Sequence, residues 1–564
     1  GRVEGIGLEG GGSPPRAADQ QWRRVALDWG GLGPIMGAMS DLQDPKDYKR
    51  QCPGQTYRIS DAVCKTRQMR NYPVCQECPF RDADRGAVKP RTNPVGSKNL
   101  ERGSEMDAIF KAYDVRGVYP DQLNEEIAWC IGYATAQFLR GQLSGIDRTD
   151  PQLNSLAIGS DMRKSSPSLC QAFVEGALGG GMNVVDVGMI DTSQIYFAVN
   201  HLKSGGGVQT TASHNPAQYN GFKITGPGGK PIGQDTGLME IKRIALAVPP
   251  RSATAQGTLT RRDLAPEYKA FVRSFLRGPG RKLKVAIDAS NGMAGKMWPI
   301  VFGDLADLET VELNFEHKGE FAHDPNPLVA ANLRQLQAAV RKHGCNLGIC
   351  FDGDSDRSMI VDEKGQIVPC DLLTALLAKA FLRWTPGSTV VYDLRSSRVV
   401  KEEIEKSGGV PRRERVGHSF MKRAMAESNA VFGGELSGHF YFKDNWYCDS
   451  GYLAVVALLN VIEQEGGKPV SKLVAPLRRY AQSGELNFTT DDKDARIKAL
   501  GEQFSDGQVD YLDGITVQYA DWWFNVRKSN TEPLLRLNME AKDKGLLTAK
   551  LAEVAPMLGE PEEH

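Results

Sequence analysis

The chain has 564 residues and a formal net charge of zero, and 41% of its residues are hydrophobic and 24% charged. This length is enough for about three to five domains, and the composition is typical of a soluble globular protein. The charge balance excludes a globally basic surface for nucleic acid or an anionic membrane, and the sequence shows neither the ~18-residue apolar run of a membrane span nor a secretory signal.

The amino-terminal part of the chain has no sustained hydrophobic period. Residues 1–44 are rich in glycine, proline and alanine and are predicted to be disordered. Residues 45–105 form a polar extension in which four cysteines are grouped: Cys52, Cys64, Cys75 and Cys78. The last pair has the spacing of a structural zinc knuckle but the first pair is widely spaced, so both a zinc site and reduced cysteines in a loose tail stay open. Ten cysteines over this length form no disulfide framework, which favours a reducing cytoplasm.

A regular pattern begins at Met106, and the first domain is predicted to extend to residue 255. Asn124, followed by two glutamates, can cap a helix whose apolar residues recur every three to four positions. The elements predicted next are a strand at 156–158, a helix opened by Ser166-Pro167, a strand at 184–187, a helix near 193–200 and a strand leading to Ser213. This alternating order predicts a parallel α/β sheet.

Two further domains with the same order of elements are predicted over residues 256–368 and 369–478, without a clear residue-level repeat. A strand at 347–351, for example, runs directly into acidic residues. The last region, 479–564, differs, because its predicted strands and helices suggest a smaller α+β domain.

The stretch from Gly207 to Pro216, Gly-Val-Gln-Thr-Thr-Ala-Ser-His-Asn-Pro, is typical of a buried strand that ends in a turn. Ligands lie at the carboxyl ends of the strands of a parallel sheet. The pattern therefore places the Ser213 hydroxyl in a cleft with His214 and Asn215 beside it. An Asn-Pro loop with an incidental serine is the alternative.

Phe351-Asp-Gly-Asp-Ser-Asp-Arg357 contains three alternating aspartates, Asp352, Asp354 and Asp356. An extended backbone would put all three carboxylates on one side, where they repel each other unless a cation lies among them. Several hard oxygen ligands that leave room for a phosphate oxygen suit Mg²⁺.

An EF-hand loop also begins with alternating aspartates, but it needs glycine at its sixth position and glutamate at its twelfth. Here those positions are Arg357 and Glu363, and the apolar strand before the aspartates also disfavours an EF-hand. An exposed acidic turn is the remaining alternative.

Two further loops carry polar groups. Arg527-Lys-Ser-Asn-Thr-Glu-Pro533 offers a guanidinium fork, hydroxyls and turn N–H groups, which can cradle a phosphate. Gly433-Gly-Glu-Leu-Ser-Gly-His439 offers a carboxylate, a hydroxyl and an imidazole, which suit sugar hydroxyls and proton transfer. Each loop alone is weak evidence of function, since such loops are common and a lone histidine is more often structural.

In combination these four motifs resemble the α-D-phosphohexomutases, most closely the phosphomannomutase/phosphoglucomutase group. The resemblance covers residues 106–557 and rests on Thr-Ala-Ser-His-Asn-Pro, Asp-Gly-Asp-Ser-Asp-Arg, Gly-Glu-Leu-Ser-Gly-His and Arg-x-Ser-Asn-Thr-Glu-Pro in this order. It implies three similar α/β domains with mixed, mostly parallel sheets and a smaller C-terminal α+β domain, around a central cleft.

The resemblance also implies roles for individual residues. Ser213 is the phosphorylated serine, and its phosphate shares Mg²⁺ with Asp352, Asp354 and Asp356. Other implied catalytic residues are His214, Lys223, Arg116, Arg357 and His439. The implied substrate-binding residues are Glu435, Ser437, His418, Arg395, Arg527, Ser529, Asn530 and Thr531. Arg395 stands where relatives often have lysine, and Ser355 where glycine is frequent.

The implied reaction interconverts hexose 1-phosphate and hexose 6-phosphate through a phosphoserine enzyme, with hexose 1,6-bisphosphate as intermediate and activator. Small sugar phosphates would be the only partners of a cytoplasmic monomer or dimer. Leu436 and Asn530 favour mannose or glucose phosphates over glucosamine phosphate.

Other functions stay open at this point. A phosphatase would release inorganic phosphate, and the absence of a Gly-x4-Gly-Lys-Ser/Thr motif disfavours a P-loop kinase. An inactive sugar-phosphate sensor or a zinc-mediated interaction protein is the alternative of another class.

Overall fold

The computed structural model describes residues 103, 105–145, 147–277, 281–529 and 534–562, together with the backbone of two short strands. These strands, β1 (Arg50–Gln51) and β2 (Arg58–Ile59), pair antiparallel and belong to a unit of residues 1–91, whereas residues 92–564 form a second unit. The segment predicted to be disordered, 1–44, and the candidate zinc ligands Cys52, Cys64, Cys75 and Cys78 lie outside the described residues. None of the described helices has the length and apolarity needed to cross a bilayer.

The first sheet of the second unit has the strand order β3-β7-β6-β4-β5-β8. Its strands are β3 (Val115–Val118), β4 (Ser155–Ser160), β5 (Asn183–Met189), β6 (Gly206–Thr210), β7 (Tyr219–Thr225) and β8 (Leu259–Arg261). Strands β6, β4, β5 and β8 are parallel, and β7 is antiparallel to both β6 and β3. The sheet thus includes a strand beyond residue 255, where the first domain was predicted to end.

Helices alternate with these strands because the sequence marks their ends. They are α1 (Glu125–Gln142), α2 (Ser166–Gly179), α3 (Thr192–Leu202) and α4 (Leu238–Ala247). The Asn124 side chain accepts hydrogen bonds from the backbone N–H groups of Glu126 and Ile127, which confirms the predicted cap of α1. The Asp191 side chain caps α3 through the backbone N–H of Gln194.

The second and third sheets repeat the plan of the first. Their strand orders are β10-β9-β11-β12-β13 and β15-β14-β16-β17-β18. The strands are β9 (Leu283–Asp288), β10 (Leu308–Leu313), β11 (Leu347–Phe351), β12 (Ser358–Asp362), β13 (Ile367–Val368), β14 (Thr389–Asp393), β15 (Val410–Glu414), β16 (Phe432–Gly434), β17 (Phe440–Phe442) and β18 (Cys448–Asp449). In each of these two sheets the first three strands are mutually parallel, and each of the next two pairs antiparallel with the strand before it. The three mixed sheets thus confirm the predicted similarity of the α/β domains.

The helices of these two domains are α5 (Ala265–Arg273), α6 (Ala294–Phe302), α7 (Arg334–His343), α8 (Cys370–Trp384), α9 (Arg398–Lys406), α10 (His418–Ser428), α11 (Gly451–Gln464) and α12 (Val470–Val474). One buried apolar cluster extends from Ala157 of the first sheet to Leu477. Because the α/β domains share this cluster, they hold the ends of their sheets in fixed relation.

Three loops occupy equivalent places in this plan, each joining the last parallel strand to the first antiparallel one. They are residues 211–218 between β6 and β7, 352–357 between β11 and β12, and 435–439 between β16 and β17. The loops carry the Ser213, Asp352–Asp356 and Glu435–His439 motifs, so one repeated architectural position supplies three of the four motifs.

The last domain is a single antiparallel sheet of order β20-β21-β22-β23-β19-β24 with its own apolar core. Its elements are β19 (Ala481–Thr489), α13 (Lys493–Gln503), β20 (Gln508–Asp510), β21 (Ile515–Gln518), β22 (Trp522–Lys528), β23 (Leu534–Ala541), α14 (Lys544–Val554) and β24 (Glu560–Pro561). This confirms the predicted α+β class and places Arg527 near the end of β22.

Candidate active site

Ser213 lies three residues after β6 in a tight turn. The turn is closed by a hydrogen bond from the backbone N–H of Asn215 to the carbonyl oxygen of Ala212, and Ser213 has a φ of +50°. A positive φ is costly for a residue with a side chain and persists only where the surroundings enforce it. Ser213 is 2% exposed, and its Oγ donates to Asp352 Oδ2 over 2.9 Å. The structure thus joins two motifs that lie 139 residues apart.

His214 follows in the same turn, with Nδ1 3.4 Å from the Ser213 Oγ. Burial, followed by the charge of Arg357, lowers the pKa of His214 well below its usual value. The imidazole beside the serine is therefore neutral at pH 7.

Asp352, Asp354 and Asp356 present carboxylate oxygens within 4.8 Å of one another, and all three residues are buried. The expectation that an extended backbone brings them together is wrong, because residues 352–356 form a turn in which Ser355 has a φ of +59°. The left-handed residue curls the chain so that carboxylates that would otherwise spread along a strand converge. This conformation also explains why glycine suits the position of Ser355.

The carboxylates are partly neutralised by Lys223 on β7. Its Nζ lies 2.7 Å from Asp354 Oδ2 and 2.5 Å from Asp356 Oδ2. Burial alone would lower the pKa of Lys223, but Asp354 and then Asp356 raise it above its usual value. Lys223 is therefore a fixed positive charge beside the serine.

Arg357 lies 3.9 Å from Asp352 and His439 lies 3.4 Å from Asp356, but these charges do not offset the burial of Asp352. Burial, followed by Asp356 and Asp354, raises the pKa of Asp352 well above its usual value. Asp354 Oδ1 is buried and accepts no hydrogen bond from the described part of the chain. Hard oxygen ligands in need of positive charge fit a divalent cation, so the donor set matches the predicted metal site.

His439 connects the aspartate loop to the Glu435 loop. Its Nε2 lies 3.2 Å from Arg357 Nε, and its Nδ1 lies 3.0 Å from Ser437 Oγ. Burial and Arg357 lower the pKa of His439, but the carboxylates of Asp356 and Glu435 raise it by more, to about 9. The Glu435 carboxylate in turn accepts hydrogen bonds from Ser437 Oγ and from the backbone N–H of Gly417.

Arg116 and His418 lie near the same loops. Arg116, on β3, contacts the side chains of Asp114 and Asn215, the latter in the Ser213 turn. His418 begins α10, and its ring centroid lies 6.3 Å from that of His439. Burial, followed by the charge of Lys422, lowers the pKa of His418 to about 4.

An arginine cluster lies between the third and fourth domains. Arg395, Arg527 and Arg536 surround Glu485, with nitrogen–oxygen distances of 3.4, 3.0 and 3.0 Å respectively. Burial raises the pKa of Glu485, but the three guanidinium groups hold it below its usual value. Ser529 follows β22, and the predicted phosphate ligands Asn530 and Thr531 lie outside the described residues.

Sequence reasoning missed several charged residues around these loops: the buried Asp161, Arg163, Lys422 and Asp449, and the half-buried Glu485. Asp161 and Arg163 directly follow β4, a parallel strand, and a charged pair at that end of a strand was the signal that could have found them. Glu485 gave no such signal, because its partners lie 42 to 90 residues away.

Gly353 lies where the aspartate loop meets the serine turn. A Cβ on Gly353 would come within 2.4 Å of the Ser213 carbonyl oxygen, closer than two such atoms can lie. We therefore expect Gly353→Ala to push the loops apart. If the expected phosphohexomutase reaction is assayed, its kcat should fall by about 10²-fold, the loss that a displacement of about 1 Å can cause. Steady-state kinetics and thermal unfolding measure the effect.

Gly141→Ala is the matched control, because Gly141 is helical in α1 and a Cβ there would meet nothing within 4 Å. It should leave kcat unchanged and stabilise the fold by about 0.5–1 kcal/mol. Equal kcat values for the two variants would contradict the close approach of the loops.

Comparison with known proteins agrees with this geometry. The models of the phosphoglucomutase/phosphomannomutase family match in chain order: α/β/α domain I at residues 107–249, domain II at 267–365, domain III at 369–480 and the C-terminal domain at 485–557.

A phosphomannomutase of Escherichia coli K12 is 37% identical over 465 residues, which cover 80% of this chain and 99% of that protein. One of Vibrio cholerae is 36% identical, with 80% and 98% covered. The crystal structure of a phosphoglucomutase/phosphomannomutase family protein from Burkholderia thailandensis superposes with a TM-score of 0.73 at 32% identity, covering 80% of this chain and 97% of that one. With four domain models matched in order and relatives covered almost completely, the chain belongs to the phosphoglucomutase/phosphomannomutase family.

Proposed function

We propose that this protein is a phosphohexomutase that interconverts hexose 1-phosphate and hexose 6-phosphate of mannose, glucose or both. The observation that carries the proposal is the buried contact of 2.9 Å between Ser213 Oγ and Asp352, at a cluster of three carboxylates. A serine in this environment is suited to store a phosphoryl group rather than to act as an unassisted nucleophile.

In the proposed reaction the phosphoryl group on Ser213 passes to the free hydroxyl of a bound hexose monophosphate, which forms a 1,6-bisphosphate and leaves the serine hydroxyl. The bisphosphate turns end for end, and its other phosphoryl group returns to Ser213. Each transfer breaks one P–O bond and forms one, so no net phosphate is consumed.

Phosphoryl transfer needs in-line positioning and charge neutralisation. Lys223, Arg357 and Arg116 supply fixed positive charge, and His439, which can lose its proton, exchanges protons with the sugar hydroxyl. His214 orients the serine. Mg²⁺, held by Asp352, Asp354 and Asp356, would neutralise charge on the transferred group.

The remaining predicted residues bind the part of the substrate that does not react. Glu435 and Ser437, hydrogen-bonded to each other next to His439, would bind sugar hydroxyls, with His418 beside them. Arg395 and Arg527 bind the resident phosphate together with Ser529, Asn530 and Thr531. Because Arg395 lies on the third domain and Arg527 on the fourth, the phosphate would bridge the two domains.

Glu485 already occupies the centre of the arginine cluster, so its carboxylate competes with that phosphate. We expect Glu485→Gln to lower KM for hexose 1-phosphate on the order of 10-fold, because a competing charged contact of about 1.5 kcal/mol is removed. Initial-rate kinetics test this.

Glu540→Gln is the control, since Glu540 is buried in the same domain but accepts from Trp523 Nε1 and the backbone N–H of Arg398. Its KM should equal that of the unaltered protein. A higher KM in Glu485→Gln would show instead that Glu485 holds the arginines in place.

The deciding experiment is a coupled assay with mannose 1-phosphate, glucose 1-phosphate and glucosamine 1-phosphate, each with and without Mg²⁺ and with catalytic hexose 1,6-bisphosphate. The proposal requires hexose 6-phosphate from mannose 1-phosphate, glucose 1-phosphate or both, and none from glucosamine 1-phosphate. Release of inorganic phosphate without isomerisation would identify a phosphatase, and preference for the third substrate would identify a phosphoglucosamine mutase.

We further propose a cytoplasmic monomer or dimer that needs neither nucleic acid nor a membrane. Its domains are those predicted at 106–255, 256–368, 369–478 and 479–564, except that the first extends to the end of β8 at Arg261. Zinc on Cys52, Cys64, Cys75 and Cys78 stays a prediction. Zinc stoichiometry of the full chain tests it, together with the alternative of a zinc-mediated interaction protein.

A further inference from the structure

Arg163 is 2% exposed and lies beneath the serine turn. Its guanidinium group donates five hydrogen bonds, which is its full capacity. Four go to backbone carbonyl oxygens of the turn and its continuation: Ser213 at 2.8 Å, Asn215 at 2.8 Å, Pro216 at 2.7 Å and Tyr219 at 3.1 Å. The fifth goes from Nε to Asp161 Oδ2 at 3.0 Å.

Asp161 links Arg163 to the backbone N–H of Ser213, whereas Arg163 itself binds the carbonyl oxygen of that residue. The Asp161 Oδ2 accepts a hydrogen bond of 2.8 Å from Thr211 Oγ1, and Thr211 Oγ1 accepts one of 2.9 Å from the backbone N–H of Ser213. The carbonyl and the N–H of Ser213 are therefore both held by one side-chain network, here named the clamp: Asp161, Arg163 and Thr211. Such two-sided restraint is what a non-glycine residue with a positive φ needs.

The clamp also sets the position of the serine relative to the aspartates. Gly353, between Asp352 and Asp354, packs against the same Ser213 carbonyl oxygen that Arg163 binds. Because Asp161 balances the charge of Arg163, the clamp fixes the backbone without adding a net charge that would compete with Lys223 for the phosphoryl group.

We propose that Arg163 is a positioning residue for phosphoryl transfer: through the clamp it holds Ser213 in the left-handed conformation that points Oγ at the aspartate cluster. This inference rests on the proposed function, in which Ser213 carries the phosphoryl group. It predicts that the clamp determines how fast Ser213 is phosphorylated and has little influence on how tightly sugar phosphate binds.

The test follows Ser213 directly. Dephosphorylated protein is mixed with glucose 1,6-bisphosphate and Mg²⁺, quenched at intervals, and the phosphorylated fraction is measured by intact-protein mass spectrometry over a range of bisphosphate concentrations. Arg163→Lys should phosphorylate about 10²-fold more slowly, because an ammonium group has three donors that cannot span four carbonyls and Asp161. The half-saturating bisphosphate concentration should stay unchanged.

Because loss of a buried guanidinium group can also unfold the domain, the paired variants Thr211→Val and Thr211→Ser complete the test. Valine has the shape of threonine but leaves the Ser213 N–H without its acceptor, whereas serine retains the hydroxyl. Thr211→Val should slow phosphorylation as Arg163→Lys does, and Thr211→Ser should stay within about 3-fold of the unaltered protein.

The outcomes separate this inference from the proposed function. Phosphorylation of Thr211→Val at the unaltered rate, or equal losses in both Thr211 variants, would overturn the clamp while leaving Ser213 as the carrier. Failure of the unaltered protein to become phosphorylated would overturn the proposed function and the clamp together. A raised half-saturating concentration with an unchanged maximal rate would assign the clamp to binding and overturn its role in transfer.

Discussion

Ser213→Ala is expected to lower mutase activity by at least about 10⁴-fold, because in the proposed reaction the Ser213 hydroxyl carries the phosphoryl group between the two transfers. The variant should still fold, since alanine retains the Cβ and the clamp binds the backbone of the residue. Loss of the hydrogen bond to Asp352 should lower the free energy of unfolding by about 1 kcal/mol. The coupled assay and thermal unfolding measure both effects.

Ser168→Ala is the matched control, because Ser168 lies on α2 with an exposed side chain and bonds to the carbonyl oxygen of Ser165 and the carboxylate of Glu125, not to the aspartate cluster. It should retain full activity and, after incubation with hexose 1,6-bisphosphate, one phosphate per chain. Substantial turnover by Ser213→Ala would contradict the assignment of Ser213 as the phosphoryl carrier.

Asp354→Asn is expected to weaken Mg²⁺ binding and to lower kcat by about 10²–10³-fold. Asparagine keeps the size of the side chain but removes one of three converged carboxylates, and Lys223 then balances a larger share of the remaining charge. The direct readout is the rise in thermal midpoint with Mg²⁺ concentration, which reports binding independently of turnover. Chelation of Mg²⁺ from the unaltered protein should reproduce the loss of activity.

Asp362→Asn provides the comparison, since Asp362 is also buried and ends the neighbouring strand β12, but accepts hydrogen bonds from the backbone N–H groups of Lys364 and Gln366. Its response to Mg²⁺ should match that of the unaltered protein. If both variants respond alike, the aspartate cluster is not the metal site.

Local patterns predicted most of the elements that carry the site. The strand at 347–351 has the predicted bounds, and Asn124 caps α1 as expected. Such features depend on residues within one turn or one strand of each other, so the amino-acid order contains them. The repeated α/β order was readable for the same reason, although the residues themselves do not repeat.

Features that depend on distant partners could not be predicted in this way. The left-handed turn at Ser355 replaces the extended segment that alternating aspartates suggested, because packing against the other loops selects the rarer conformation. The position of Arg163 after β4 could have marked it as a candidate, but the turn that accepts its hydrogen bonds lies 50 to 56 residues later in the chain, so its role could not be predicted. Glu485 becomes informative only when Arg395 is brought to it from another domain.

By itself the order of amino acids determined the motifs, the chemical types they offer and the class of each domain. Tertiary structure alone decided that three of those motifs occupy the same position in three sheets of the same plan, and that their loops meet at Ser213, Asp352 and His439. The physical reason is range: helix caps and strand periods act over a few residues, whereas the site is made by hydrogen bonds and ion pairs whose partners become neighbours only after the domains share a core.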